Sequence, residues 1–94
     1  MNAQPLLAQL FGAYLHQDWD LEFSSSWDAV HAFRASLATT DRERAVSELH
    51  VLLELEEGVL RTAVFEELGL GYWPEGDGVE LREWLSLVAA ELRG

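Results

Sequence analysis

The sequence contains no cysteine, no lysine and no apolar run of membrane-spanning length. Without cysteine, the chain can form neither a disulfide framework nor a thiolate metal site, and it has no cysteine nucleophile. Its N-terminus also lacks the basic segment that begins a secretory signal peptide. A cytoplasmic location is therefore the expectation from sequence.

Positive charge is scarce throughout the chain. Six arginines face 17 acidic residues, for a net charge of −11. Phosphate recognition needs a basic surface, so neither nucleic acid nor an anionic membrane is expected as a partner. The acidic field attracts cationic partners, although a high charge can also serve solubility alone. The charge predicts a basic protein as partner. Uncompensated carboxylates precede the first arginine, at positions Asp18, Asp20, Glu22 and Asp28.

The length and composition fit a small globular protein. A chain of 94 residues corresponds to a single domain, residues 1–94, and 49% of its residues are hydrophobic. Apolar residues recur every three to four positions, which predicts an all-α, compact bundle of about five helices. The predicted helices span approximately residues 5–16, 26–38, 41–55, 57–68 and 79–93.

Local signals mark several of the helix ends. The serines at 24–26 offer an N-cap for the second helix. Thr40 and Glu43 have the spacing of a capping box for the third helix. Gly69 and Gly71 predict the end of the fourth helix. Gly12 interrupts the first helical pattern, which suggests that another element approaches closely there.

Acidic and aromatic residues alternate or intermix in two segments between the predicted helices, residues 18–23 and 72–77. The first segment is either extended with one wet face or, as we favour, a loop whose aromatic residues fill the core. Interface centres favour Trp and Tyr, while peripheral charges set association rate and partner choice. An inward orientation of the aromatics, with the acids merely solvated, is the alternative. The predicted partner-binding residues are Asp18, Asp20, Glu22, Trp73, Glu75 and Asp77.

Catalytic and metal-binding patterns are weak. Asp18 could begin a calcium loop of the EF-hand type, but Phe23 stands where glycine is needed and Ala29 where a carboxylate is needed. His16 near Asp18 and Asp20 could begin a zinc site, but no patterned histidine completes it. No glycine-rich phosphate loop is present. We therefore predict no catalytic residue, metal or cofactor; a metal-dependent enzyme using His16 is the least favoured hypothesis.

One segment is distinctive beyond its composition: LFGAYLHQDWD at residues 10–20. Together with GYWP at residues 71–74 and LREWL at residues 81–85, it resembles the immunity proteins of bacterial contact-dependent growth inhibition (CDI), the CdiI family. The resemblance covers nearly the whole chain, with residues 10–20 as its specific part. Leu15 departs from the aromatic residue expected after Tyr14.

The resemblance implies a small cytoplasmic protein that binds and neutralises the C-terminal toxin domain of a cognate CDI effector. Such toxins are often nucleases with basic surfaces, which an acidic inhibitor would complement. The resemblance also suggests a structural role for residues 12–19, with Tyr14 and Trp19 in the core and Gly12 at a close crossing. The alternative function is a generic acidic adaptor that binds a basic protein without any toxin link.

Overall fold

The computed structural model describes residues 4–94. This part of the chain folds into five helices and contains no strand. The first three residues of the predicted domain lie outside it. The all-α prediction is confirmed. Short 3-10 turns, Trp19–Leu21 and Pro74–Asp77, lie in the connections. The helices are α1 (Pro5–Gln9, continuing as a π-helical turn Leu10–Tyr14), α2 (Ser26–Ala35), α3 (Thr39–Leu53), α4 (Glu57–Arg61, continuing as π-helical Thr62–Glu67) and α5 (Leu81–Arg93).

The core forms where α3 packs against α5, with α1 and α2 laid over this pair. Large apolar side chains from all five helices are fully enclosed, and each contributes about 1.5–3 kcal/mol relative to exposure. The largest enclosed side chains include Trp84, Phe11, Phe33, Leu49 and Leu85.

No helix within residues 4–94 has both the length and the apolar character needed to cross a membrane.

The helix-capping predictions have mixed outcomes. Ser25 is the N-cap of α2, and its hydroxyl accepts a hydrogen bond from the Asp28 amide at 3.2 Å, as predicted. The capping box at Thr40 and Glu43 is wrong. Helix α3 begins two residues earlier than predicted, at Thr39, and its N-cap is Ala38, which has no side chain able to cap. The hydroxyl of Thr40 consequently lies inside the first turn.

Two helix ends are capped by side chains that are distant in sequence. The Glu48 carboxylate in α3 accepts hydrogen bonds from the amides of Leu6 and Leu7, at 3.1 and 3.0 Å, at the start of α1. Arg82 in α5 donates to the carbonyls of Leu53 and Leu55 at the end of α3. Helix ends expose backbone groups that have no partner within the helix. The packing of α3 against α1, and of α5 against α3, therefore helps to set where α1 begins and where α3 ends.

The glycine that permits a close backbone approach is Gly71, not Gly12. A Cβ at Gly12 would meet only the Leu68 carbonyl oxygen, at 3.9 Å, which is an ordinary contact. A Cβ at Gly71 would lie 2.7 Å from Gln17 Cα, which is too close for any side chain. The Gly71 amide also donates to the Leu15 carbonyl at 2.7 Å. The loop after α4 is therefore held directly against the loop after α1.

Candidate partner-binding site

The contact at Gly71 brings the two acidic and aromatic segments together, although they are about fifty residues apart in sequence. Immediately beyond it, the Trp19 ring meets the Tyr72 ring edge to face, with centroids 5.4 Å apart and an interplanar angle of 89°. We call the surface formed by residues 18–27 and 72–77 the acidic–aromatic face. It contains all six predicted partner-binding residues.

Residues 18–23 form a loop around a 3-10 turn and are not extended. Trp19 and Phe23 are half-buried against the core, which confirms the favoured interpretation for these two side chains. Leu21 does not follow it, since 82% of its surface is exposed. A 3-10 turn has three residues per turn, so residues two apart do not share a face as they would in a strand.

The carboxylates of this first segment differ in their surroundings. Asp18 and Asp20 are exposed, and within residues 4–94 no basic side chain forms an ion pair with either of them. Glu22 lies 2.9 Å from His16 Nε2. His16 Nδ1 accepts from the Asp18 amide at 3.1 Å, so Nε2 carries the proton that is donated to Glu22. His16 therefore stabilises the turn.

A metal site at His16 finds no support in the placement of the side chains. In the described part of the chain, no three histidine or acidic side chains are grouped closely enough to hold a metal ion. The Nδ1 atom of His16, one of its two potential ligand atoms, is already occupied by the Asp18 amide.

In the second segment, Trp73 lies on the outside of the Pro74–Asp77 turn with 63% of its surface exposed. Its ring lies against Gly76, where an added Cβ would be 3.1 Å from Trp73 Cε3. The missing side chain at Gly76 therefore allows the indole to lie across the turn. Gly78 ends the turn with a left-handed conformation, at φ 79°.

Glu75, predicted to contact a partner, is used within the fold. Its Oε2 accepts from Arg61 Nη1 at 3.0 Å and from the Leu81 amide at 3.1 Å. The hydrogen bond from Arg61, followed by the one from Leu81, holds the pKa of the Glu75 carboxyl below its ordinary value. Because the Leu81 amide belongs to the first turn of α5, Glu75 also explains why this helix begins at Leu81 and not at residue 79.

Asp77 accepts a hydrogen bond from the Tyr72 hydroxyl at 2.6 Å, through Oδ2. Burial, followed by this hydrogen bond, raises the pKa of Tyr72 above its ordinary value, so the phenol stays neutral and remains a donor. The other carboxylate oxygen of Asp77 has no donor among residues 4–94. Asp77 thus remains an open acceptor at the edge of the face.

A pocket of about 450 Å³ lies between the two segments. Four aromatic residues, the three serines at 24–26, Val79 and Leu87 line it together with Asp77, its one acidic side chain; no arginine or histidine lines it. The indole Nε1 of Trp84 is buried and has no hydrogen-bond acceptor. The aromatic residues of the lining are Trp19, Trp27, Tyr72 and Trp84.

Sequence patterns did not indicate this pocket. Trp27 and Trp84 occupy positions on apolar helical stripes, where a tryptophan that lines a pocket and one enclosed in the core have the same periodicity. Trp19 and Tyr72 belong to the two segments that the sequence singled out, but their contact depends on the crossing at Gly71.

The model of the CdiI immunity protein family matches residues 3–92. The chain belongs to the CdiI immunity protein family. The resemblance carried by residues 10–20 is thereby confirmed, and the protein is an immunity protein of a CDI system. No curated protein matches it.

The fold of this CdiI protein also has a counterpart among solved structures. A chain in the crystal structure of a CdiA-CT/CdiI complex from Y. kristensenii 33638 is similar, with a TM-score of 0.86 and 21% sequence identity. The match covers 99% of this chain and 100% of the other. At this low identity, the likeness establishes a shared helical fold.

Proposed function

We propose that this CdiI protein neutralises the C-terminal toxin domain of its cognate CDI effector by binding the domain directly through the acidic–aromatic face. The observation that carries the proposal is the meeting of two segments rich in acids and aromatics at Gly71. Leu21 and Trp73 are exposed in these two segments, and Asp18 and Asp20 form no ion pair with any residue in 4–94, which supports a shared binding surface. Apolar anchors surrounded by charge are typical of protein interfaces.

The chemistry of the face favours a basic surface on the toxin. With a net charge of −11, the protein attracts cationic surfaces from a distance, and the free carboxylates at the face give that attraction a direction. A nuclease needs a basic surface to bind phosphates. We propose that the target is such a surface, and that the immunity protein blocks access of the nucleic acid substrate. The complex of the Y. kristensenii proteins supports direct binding as the mode of action.

Inhibition of this kind requires no chemistry from the immunity protein itself. In this proposal the protein is not an enzyme, uses neither cofactor nor metal, and acts in the cytoplasm, where it meets a toxin delivered by a neighbouring cell. The pairing of Glu22 with His16 and of Glu75 with Arg61 then serves to hold the face rigid. A preorganised face loses less entropy on binding.

Co-purification with the toxin domain encoded beside this gene tests the proposal. We expect a 1:1 complex on size-exclusion chromatography at low salt, and protection of cells that express both proteins. The CdiI chain with a non-cognate CDI toxin domain is the control, since neither co-elution nor protection is expected there. Separate elution of the cognate pair at low salt would refute direct binding.

A further inference from the structure

The pocket in the acidic–aromatic face has walls suited to a cation. The rings of Trp19 and Tyr72 stand at 89° to each other and form one corner, and Trp27 and Trp84 line the pocket as well. The faces of tryptophan and tyrosine rings attract positive charge, and a desolvated site strengthens that attraction. Four aromatic residues around one opening are therefore a favourable environment for a cationic side chain.

The charge of the pocket lining also favours a cation. Asp77 is the only ionisable acid in the lining, and no basic side chain there neutralises it. One of its oxygens is held by the Tyr72 hydroxyl, which leaves Oδ1 directed to no described donor. An apolar occupant would bury this carboxylate without compensation, which is unfavourable. A cation would pair with it.

Trp84 supplies an independent sign that the pocket is incomplete. Its side chain is 1% exposed, and its indole N–H has no acceptor among residues 4–94. Buried donors are almost always paired in folded proteins, because an unpaired donor is costly. No acceptor for it lies among residues 4–94, and because Trp84 lines the pocket, a partner residue that enters there is a candidate source of one. An entering residue of a partner brings a main-chain carbonyl as well as a side chain, so it can provide that acceptor.

Among cationic side chains, arginine fits these features best. Its planar guanidinium stacks on aromatic rings and donates to a carboxylate through parallel N–H groups, whereas the ammonium of lysine is a strongly hydrated point charge. The volume of about 450 Å³ lies within the usual range of ligand pockets. We infer that this pocket receives one arginine side chain of the toxin domain, an inference that rests on the proposed function.

A titration of the isolated protein tests the pocket without the toxin. The probe is N-acetyl-arginine amide, and its neutral isostere N-acetyl-citrulline amide is the control. We expect the arginine amide to shift the indole N–H resonances of Trp19, Trp27 and Trp84 in NMR spectra. Trp73 does not line the pocket and serves as an internal reference. Equal shifts with both amides, or none with either, would overturn the inference.

Two substitutions refine this titration. Asp77→Asn keeps an oxygen for the Tyr72 hydroxyl but removes the charge, and should weaken binding of the arginine amide about tenfold. Leu87→Arg places a guanidinium at the rim, where 46% of the leucine is exposed, and should close the pocket to the probe. Circular dichroism confirms that each variant is folded. Unchanged affinity in both folded variants would contradict the assignment.

The complex with the toxin separates this inference from the proposed function. Each arginine of the toxin domain is replaced by glutamine, which removes its charge, and each variant is combined with Asp77→Asn in a double-mutant cycle. We expect one toxin arginine to couple to Asp77 by about tenfold in Kd. A toxin that co-elutes but has no arginine coupled to Asp77 would refute the pocket assignment alone. Binding of the arginine amide without co-elution of the toxin would refute the proposed function alone.

Discussion

Glu75 connects three elements through one carboxylate: α4 through Arg61, its own 3-10 turn, and α5 through the Leu81 amide. The pKa of Glu75 is lower in the folded protein than its ordinary value of 4.5. A depressed folded-state pKa means that the pair stabilises the fold above the unfolded-state pKa. This contribution is lost as the pH falls through the folded-state pKa.

Replacing Glu75 with glutamine should therefore destabilise the protein at neutral pH but not in acid. We expect a loss of about 1 kcal/mol in the free energy of unfolding at pH 7, because the pair is partly exposed and screened by solvent. The difference from wild type should shrink below about pH 4. Urea unfolding followed by circular dichroism at several pH values measures it. Glu66→Gln is the control, because it removes an exposed carboxylate that has no ion-pair partner among residues 4–94. Equal effects of the two changes would contradict this role of Glu75.

At the scale of elements, the protein depends on how its connections meet. The widened π-helical turns end α1 and α4 with i to i+5 hydrogen bonds, from Leu15 to Leu10 at 2.9 Å and from Leu68 to Ala63 at 2.8 Å. The two connections that follow these turns then cross at Gly71. Because this crossing holds the two segments of the acidic–aromatic face together, a substitution that disturbs it should lower both the stability of the fold and the affinity for the toxin domain.

Gly71→Ala should destabilise the fold by about 2 kcal/mol, since its Cβ would overlap the backbone of residues 16–17. Gly58→Ala is a matched control. Gly58 lies in α4, has no atom within 4 Å of an added Cβ, and should gain about 0.5–1 kcal/mol from the higher helix propensity of alanine. Thermal unfolding of both variants measures the contrast. A Gly71→Ala variant as stable as Gly58→Ala would show that the crossing is not tight.

At the scale of the whole molecule, the question is whether net charge or its placement guides the partner. Changing Asp18, Asp20 and Glu22 to their amides moves the net charge from −11 to −8, since −11 + 3 = −8. The same change at Glu43, Glu54 and Glu66, which lie outside the acidic–aromatic face, gives the same net charge. If placement matters, only the first triple variant should slow association markedly.

Stopped-flow association with the toxin domain at several salt concentrations measures this effect. We expect the first triple variant to associate about tenfold more slowly at low salt, and the difference to fade as screening increases. The control triple should stay within about twofold of wild type. Equal slowing by both triples would show that total charge, and not the face, controls encounter.

The sequence alone is sufficient for the five helices, because each carries its own apolar repeat. It is also sufficient for the strongly acidic net charge of the molecule, because charge is additive along a chain. Residues 10–20 are also sufficient for the family. Helix ends are less predictable. Glu48 caps α1 and Glu75 caps α5 through contacts over 42 and 6 residues, which no local pattern at the helix start reveals.

The tertiary structure decides how the predicted residues are used. Asp18, Asp20 and Trp73 remain exposed, whereas Glu75 is bound within the fold, and the sequence treats these residues alike. The pocket likewise exists only because two loops cross at Gly71 and bring Trp19 to Tyr72. Helical periodicity and charge are properties of neighbouring residues, so they can be recognised in the chain. A site assembled from separate loops depends on long-range packing, which only the folded molecule establishes.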